Sequence, residues 1–403
     1  MTLRKNRLFT PGPTPLLPPA QMAMASYGAH HRTADFRALL TRVLADLRQF
    51  IGTRNDVLVV ASSGTGLMEA AVSNLTSPGD KVLVLTAGKF GERWRDLTRA
   101  FGCEVDVLTA PYGETFAVSD VAARLGPEIR AVYVQATESS TGARHDIQAI
   151  ARALRDSGAD TLLVVDAITG LGTTHFDVDG WGVDVIIGGS QKALMIPPGL
   201  AYCAVSERAW QRMERAKSPR YYFDLRKERK AAAKGESAFT PATSLIAALG
   251  AALEFVGGMG DGDVARGRKR LVEGAELYAG MTRAAVSALG LKLFAPTCPA
   301  AALTAVKAPA GMDSGAIVQE FRERFGAVVA NGQGEMKGQL FRIAHIGYYD
   351  YLDTIGILAA LEQVLAQAGQ RVEFGAGVRA AQEVFARHTA GALSAAKQVA
   401  HLR

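Results

Sequence analysis

Cysteine is scarce in this chain. Cys103, Cys203 and Cys298 are far apart, odd in number, and no pair has metal or redox spacing. That argues against a disulfide framework and a cysteine-based metal site, and it fits a reduced, cytoplasmic setting. Long apolar runs are also missing. The longest, Leu245–Val256, is broken by Glu254 and is too short to span a bilayer. The opening residues, MTLRKNRLFTPGP, hold no apolar stretch of the kind a secretory signal needs, so the expectation is a cytoplasmic protein with no membrane partner. Charge of one sign is not in great excess: the formal net charge is +6 over 403 residues. The basic runs Arg226–Lys234 and Arg266–Arg270 lie in helix-forming sequence and read as solvated helix faces, so anionic ligands fit and nucleic acid is not expected. There is no internal repeat and no low-complexity tract. What is present is an ordinary globular balance, 48% hydrophobic and 21% charged. The length exceeds one comfortable core, which predicts two domains sharing an interface.

From Val57 to Ala204 the chain alternates apolar strands with helical segments. Val57–Ala61 reads as a strand, with Ser62, Ser63, Gly64, Thr65 and Gly66 behind it and a helix from Leu67. Strands follow at Lys81–Thr86, Val105–Leu108, Ala131–Thr137, Thr161–Val165 and Val183–Ile187. Such alternation implies a doubly wound, mostly parallel sheet, an α/β fold. In such sheets ligands bind outside the carboxyl ends of the strands. The turns there are chemically matched. Ser63–Thr65 opens a helix, where free N–H groups and the helix dipole favour an anion; many strand–helix turns hold Gly and Ser without binding one. No Gly-Lys-Ser/Thr follows, so the turn is not a P-loop. Phe90 fits either a core aromatic or a ring that stacks on a flat ligand. Ser140 sits in the small polar turn Glu138–Gly142, and Asp146 is positioned to cap the next helix. Asp166 ends an all-apolar strand and projects with Ile168 to one face, a carboxylate beside an apolar surface; a loop or capping acid is the other reading.

Lys192 closes the series in VDVIIGGSQK and is followed by the uncharged ALMIPPG. A lysine in that setting loses solvation of its ammonium, its pKa falls, and the amine can form a Schiff base with a carbonyl. A solvated lysine at a strand end is the bland reading. Before the first helix, Ala34–Ile51, the segment Phe9–Pro15 (FTPGPTP) has largely preset φ angles; it is a rigid linker or a backbone wall near a ligand. The final third reads as a small α+β unit with strands at Ala302–Val306, Val328–Ala330 and Leu340–Ala344, and helices at Ser314–Phe325 and Tyr351–Ala368. Arg342, flanked by apolar residues, needs an anionic partner: a ligand carboxylate held by both arms of the guanidinium, or a structural Asp or Glu.

A lysine amine, an aspartate for a ring N–H, a helix N-terminus for a phosphate and an arginine for a carboxylate are together what pyridoxal 5'-phosphate and an amino-acid substrate require. The segments FTPGPTP, SSGTGLMEA, GKFGERW, ESSTG, VVDAITGLG, GGSQKALMIPPGL, FTPATSLIAAL and GQLFRIAHIGY cover nearly the whole chain. In these the sequence resembles the class V aminotransferases of fold type I. It is similar to alanine–glyoxylate and serine–pyruvate aminotransferases and to a bacterial group labelled soluble hydrogenase small subunit. The resemblance implies a Schiff-base lysine at Lys192, a ring-nitrogen partner in Asp166, and ring packing by Phe90 and Ile168. It implies phosphate contacts from Ser63, Gly64, Thr65 and Gln191, and a contact from Ser140 near the ring. It places Arg342 on the substrate carboxylate, with Gly12 lining that pocket, and Thr240 on the phosphate of the other subunit in a homodimer with shared sites. It implies no metal, and an N-terminal segment 1–14, a large domain 15–260 and a small domain 261–403.

The departures are Phe90 and Phe239, which stand where some relatives have tryptophan and a polar phosphate ligand, and Ala29–Arg32, which lacks the glycine of a related segment. No second arginine for a side-chain carboxylate is evident, which favours serine or alanine as donor and glyoxylate or pyruvate as acceptor. An aspartate-using enzyme, a lyase or cysteine desulfurase using Cys298, and a non-catalytic hydrogenase-associated subunit are the alternatives.

Overall fold

The computed structural model describes residues 4–401. A seven-stranded sheet organises the first two thirds of the chain. Its strands are β1 (Asp56–Ser62), β2 (Lys81–Thr86), β3 (Glu104–Thr109), β4 (Ile129–Gln135), β5 (Leu162–Asp166), β6 (Val185–Gly189) and β7 (Gly199–Val205), in the order β1-β7-β6-β5-β4-β2-β3. Neighbours from β6 to β3 run parallel, as the alternation predicts. β7 does not: it is antiparallel to both β1 and β6 and lies between them. Because β7 reverses twice, β1 still points the same way as β6. The carboxyl ends of β1, β2, β4, β5 and β6 therefore share one edge.

Helices cover both faces of this sheet. Among them are α1 (Ala34–Ile51), α2 (Gly64–Leu75), α3 (Lys89–Ala100) and α4 (Ile147–Asp156). α1 begins where the Thr33 hydroxyl accepts the Phe36 N–H and ends at Gly52, whose φ of 79° is left-handed. Between those stops Phe36, Leu40, Val43, Leu47, Phe50 and Ile51 recur at helical spacing and are fully buried. Burying each contributes about 1.5–3 kcal/mol, so α1 is fixed by its packing stripe. Asp146 does cap α4, accepting from the Ala149 N–H at 3.0 Å.

β6 sits two residues later than the apolar run suggests and takes in Gly188 and Gly189. The reason is packing. A Cβ on Gly188 would strike the Tyr202 ring, and one on Gly189 would lie 3.1 Å from Ile168 Cγ2. Asp184, ahead of the strand, accepts the Leu163 N–H instead.

The last third contains α5 (Thr243–Met259), α6 (Val264–Ala288), α7 (Ser314–Phe325), α8 (Tyr351–Gln367) and a three-stranded antiparallel sheet of β8 (Leu303–Lys307), β9 (Ala330–Asn331) and β10 (Leu340–Ala344). Its core gathers Met281, Phe321, Phe341, Ile357 and Leu361. α6 runs between cores: Val264 packs with the large sheet's cluster and Val286 with this one. Among the described residues no single helix is long and apolar enough to cross a membrane.

Candidate active site

Lys192 lies in the turn behind β6, 9% exposed. Its Nζ donates to the Pro11 carbonyl. The segment Phe9–Pro15 is thus a wall on the lysine rather than a linker. Thr14 ties it down, its N–H donating to the Gln191 carbonyl at 3.2 Å and its Oγ1 to the Lys192 carbonyl at 3.0 Å. Gly12 is required there: its φ is +136°, and a Cβ would fall 2.5 Å from Nζ. Burial pushes the Lys192 amine from 10.5 down to about 8; Asp166 opposes that shift, and Arg342 and Arg93 add to it.

Asp166 ends β5 and is buried. Oδ1 accepts the Ile168 N–H at 2.9 Å, and Oδ2 has no hydrogen-bond partner among the described residues. Burial raises its carboxyl from 3.8 to about 6, with Glu138 adding to the rise and the Ile168 amide, Lys192 and Arg93 opposing it. Such a carboxylate is matched to a cationic N–H. Ile168 packs over the open side of Gly64, where a Cβ would strike its Cδ1. Gly64 and Gly189 together leave the room that Ile168 occupies.

α2 opens at Ser63, whose side chain makes no capping bond. Thr65 Oγ1 accepts from Arg93 Nη1 at 2.9 Å, and the Arg93 guanidinium lies 4.7 Å from the Phe90 ring centroid. Arg93 has no salt bridge among the described residues. The sequence reading, which found no evident second arginine for a side-chain carboxylate, did not single out Arg93: one helical turn beyond Phe90, it brings a second cation toward Lys192 and Asp166.

Phe90 and Ser140 are joined by a residue the sequence reading passed over. Glu138 Oε2 accepts the N–H groups of Phe90 and Gly91 at 3.0 and 3.1 Å; Oε1 accepts Ser140 N–H at 3.1 Å and Ser140 Oγ at 2.5 Å. The signal was there: like Asp166, Glu138 is a carboxylate closing an apolar strand.

Arg342, in β10, is 4% exposed. No described side chain is its anionic partner: no salt bridge among the described residues includes it. Its Nη1 donates to the Ser139 carbonyl at 2.7 Å, and Nε and Nη2 donate to the Asn331 carbonyl at 3.2 and 2.5 Å. One N–H on each terminal nitrogen remains, which is the fork a carboxylate needs. Burial lowers the guanidinium pKa to about 10, and Glu138 opposes that. Gln191 Oε1 is buried without a partner. Thr240 is exposed and its side chain makes no hydrogen bond to a described residue, so nothing within this single chain joins it to the others.

The large sheet with these turns at one edge, and the small α+β unit carrying Arg342, define a fold type I enzyme of the kind that uses pyridoxal phosphate. The chain belongs to the aminotransferase class-V family, whose model matches residues 19–333. A soluble hydrogenase 42 kDa subunit of Anabaena cylindrica is 40% identical over 387 residues, 94% of this chain and 99% of that one. An L-aspartate–glyoxylate aminotransferase of Paracoccus denitrificans is 34% identical over 395 residues, 96% of this chain and 98% of that one. The crystal structure of an aspartate aminotransferase of subgroup IV from Thermus thermophilus matches with a TM-score of 0.83 and 35% identity, over 90% of this chain and 99% of that one.

Proposed function

We propose that this chain is a cytoplasmic, homodimeric aminotransferase that moves an amino group from a small L-amino acid, serine or alanine, to a 2-oxo acid, glyoxylate or pyruvate, on pyridoxal 5'-phosphate. Residues 15–260 would carry the cofactor and 261–403 would bring Arg342 to it, with 1–14 forming the wall at Lys192. The observation that carries this reading is the buried Lys192 amine, lowered to about 8 and set against Asp166. A neutral amine is the form that adds to a carbonyl and takes a proton from carbon.

The residues present fit the cofactor. Asp166 keeps Oδ2 free for a ring N–H. Phe90 and Ile168 offer flat and aliphatic surfaces. Ser63, Gly64 and Thr65, at the start of α2, and Gln191 suit the phosphate, with Arg93 adding a cation at Thr65. Thr240 of the second subunit would reach the same phosphate. When bound, pyridoxal phosphate supplies an aldehyde for the Lys192 amine and a protonated ring that accepts the electron pair released at the substrate Cα. Asp166 holds the proton on that ring. Arg342 would hold the substrate carboxylate on its two remaining N–H groups and so orient the substrate at Lys192. Lys192 would be the group that carries the proton away from Cα.

Aspartate as donor is the second reading, favoured by Arg93, which has no carboxylate partner among the described residues. A cysteine desulfurase is disfavoured: the roughly 400 Å³ cavity that Cys298 lines, with His145, His175 and Trp181, contains neither Lys192 nor Asp166. A non-catalytic hydrogenase subunit would have no use for a buried lysine and aspartate at such cost in desolvation. The test is the visible spectrum of the protein loaded with pyridoxal phosphate, recorded with serine, alanine or aspartate separately and then with glyoxylate or pyruvate. The expected result is a band that bleaches with a donor and returns with a 2-oxo acid. A protein that gains no band from added cofactor would overturn the reading. A lower half-saturating concentration for aspartate than for serine and alanine would select the second one.

A further inference from the structure

We infer that Glu138 is a positioning residue for the active site, and that its carboxyl group fixes the ring-packing Phe90 and the substrate-binding Arg342 relative to each other. The inference rests on the aminotransferase reading above. Glu138 is fully buried, yet no lysine or arginine pairs with it among the described residues. Its four partners are all donors. Three are backbone N–H groups, and the fourth is the Ser140 hydroxyl, whose oxygen also accepts the Lys89 N–H at 3.1 Å. Both carboxyl oxygens therefore accept backbone N–H groups, bonds that favour the carboxylate over the acid. Burial pushes its proton affinity up, while these four hydrogen bonds hold it down.

The placement shows what the carboxyl group holds together. Phe90 and Gly91 are in the first turn of α3, so their N–H groups have no partner within the helix. Glu138 satisfies both and thereby pins the start of α3 to the turn behind β4. Two residues along, the same turn is closed by Ser140 on Oε1. Between them, the Ser139 carbonyl accepts from Arg342. One three-residue turn therefore clamps the aromatic from one strand–helix junction and the arginine from the C-terminal sheet. Gly88 leaves the space: a Cβ there would lie 2.5 Å from Glu138 Cδ and 2.6 Å from Ser140 Oγ. Glutamine is the informative replacement. It keeps the shape but turns one oxygen into an NH₂ group, which must face either the Phe90 and Gly91 N–H pair or the Ser140 pair. Donor then meets donor, and one side of the clamp opens.

The experiment is a double-mutant cycle on the cofactor dissociation constant, read by titrating the visible band, with Glu138→Gln, Phe90→Ala and both together. The expected result is that E138Q weakens pyridoxal phosphate about tenfold alone and less than about threefold when Phe90 is already alanine, because the two act through one contact. The visible circular dichroism of the bound cofactor, which reports ring orientation, changes in E138Q. A folded E138Q protein with wild-type affinity and dichroism overturns the inference, as does a full tenfold effect in the F90A background. If E138Q does not fold, Gly88→Ala takes its place, displacing the carboxylate without removing it; unchanged affinity in G88A would overturn the inference equally. Failure of the underlying reading looks different: the wild-type protein itself would show no cofactor band.

Discussion

Replacing Lys192 with methionine should stabilise the cofactor-free protein at neutral pH. Burial lowers the amine from 10.5 to about 8. That displacement is worth about 3 kcal/mol against the folded state while the unfolded chain is protonated. The sign follows from proton counting. Below about pH 8 both states carry the proton and the full penalty applies. Between about 8 and 10.5 only the unfolded chain binds it, so the stability of the wild-type protein rises with pH. Above 10.5 the penalty has gone. Methionine never bears the penalty, but it leaves the Pro11 carbonyl without its donor, a loss of about 1 kcal/mol. K192M should therefore be about 2 kcal/mol more stable than wild type near pH 7 and no more stable near pH 10.5. The assay is urea unfolding of both cofactor-free proteins at one protein concentration, since dimerisation would add a concentration term. A K192M protein less stable than wild type at pH 7, or an advantage that does not shrink with pH, would refute the argument that Lys192 is a desolvated, functionally retained amine.

Other changes test other parts of the site. Asp166→Asn should also stabilise the cofactor-free protein near pH 7, by up to about 3 kcal/mol, because burial raises Asp166 to about 6; the advantage should fade as pH drops from about 6 to 3.8, and K192M with D166N should gain more than the sum of the two alone, since each single change also removes the other charge's attractive partner. Arg342→Lys loses the two-armed grip, and kcat/KM for the donor should fall about ten- to hundredfold in steady-state assays, the equivalent of about 1.5–3 kcal/mol. Gly64→Ala drives a methyl into Ile168 Cδ1, costing about 1–3 kcal/mol of stability by thermal or urea unfolding, with weaker cofactor binding. Arg93→Met separates two roles: weaker pyridoxal phosphate binding with every donor equally affected assigns it to the phosphate, whereas a KM rise for aspartate alone assigns it to a donor side chain.

Much of the architecture could be read from patterning. α1, β2, α7 and β10 fall at the residues that apolar periodicity and flanking turns mark out. The converging strand ends were legible for the same reason: a polar or charged residue closing an apolar strand stands out. What escaped has physical causes. The direction of β7 is set by which strands it pairs with, and an apolar run carries no direction. β6 includes two glycines because Tyr202 and Ile168 fill the space above them, a fact of packing between distant segments. Glu138 carried the same mark as Asp166, a carboxylate closing an apolar strand, but what it holds was not legible, because three of its four partners are backbone N–H groups, which no residue type announces. Arg93 was missed because helical spacing from Phe90 acquires meaning only once Thr65 is seen beside it. Thr240 makes no side-chain hydrogen bond to a described residue, and the role proposed for it lies with a second subunit.

The most direct test of the central claim is to load the protein with pyridoxal phosphate, reduce it with borohydride and locate the cofactor's mass by peptide mapping. The account predicts one modified residue, Lys192, with the label lost in Lys192→Ala and the visible band lost with it. A label on another lysine, or none on a protein that keeps its visible band, would contradict the assignment of Lys192 as the reactive amine.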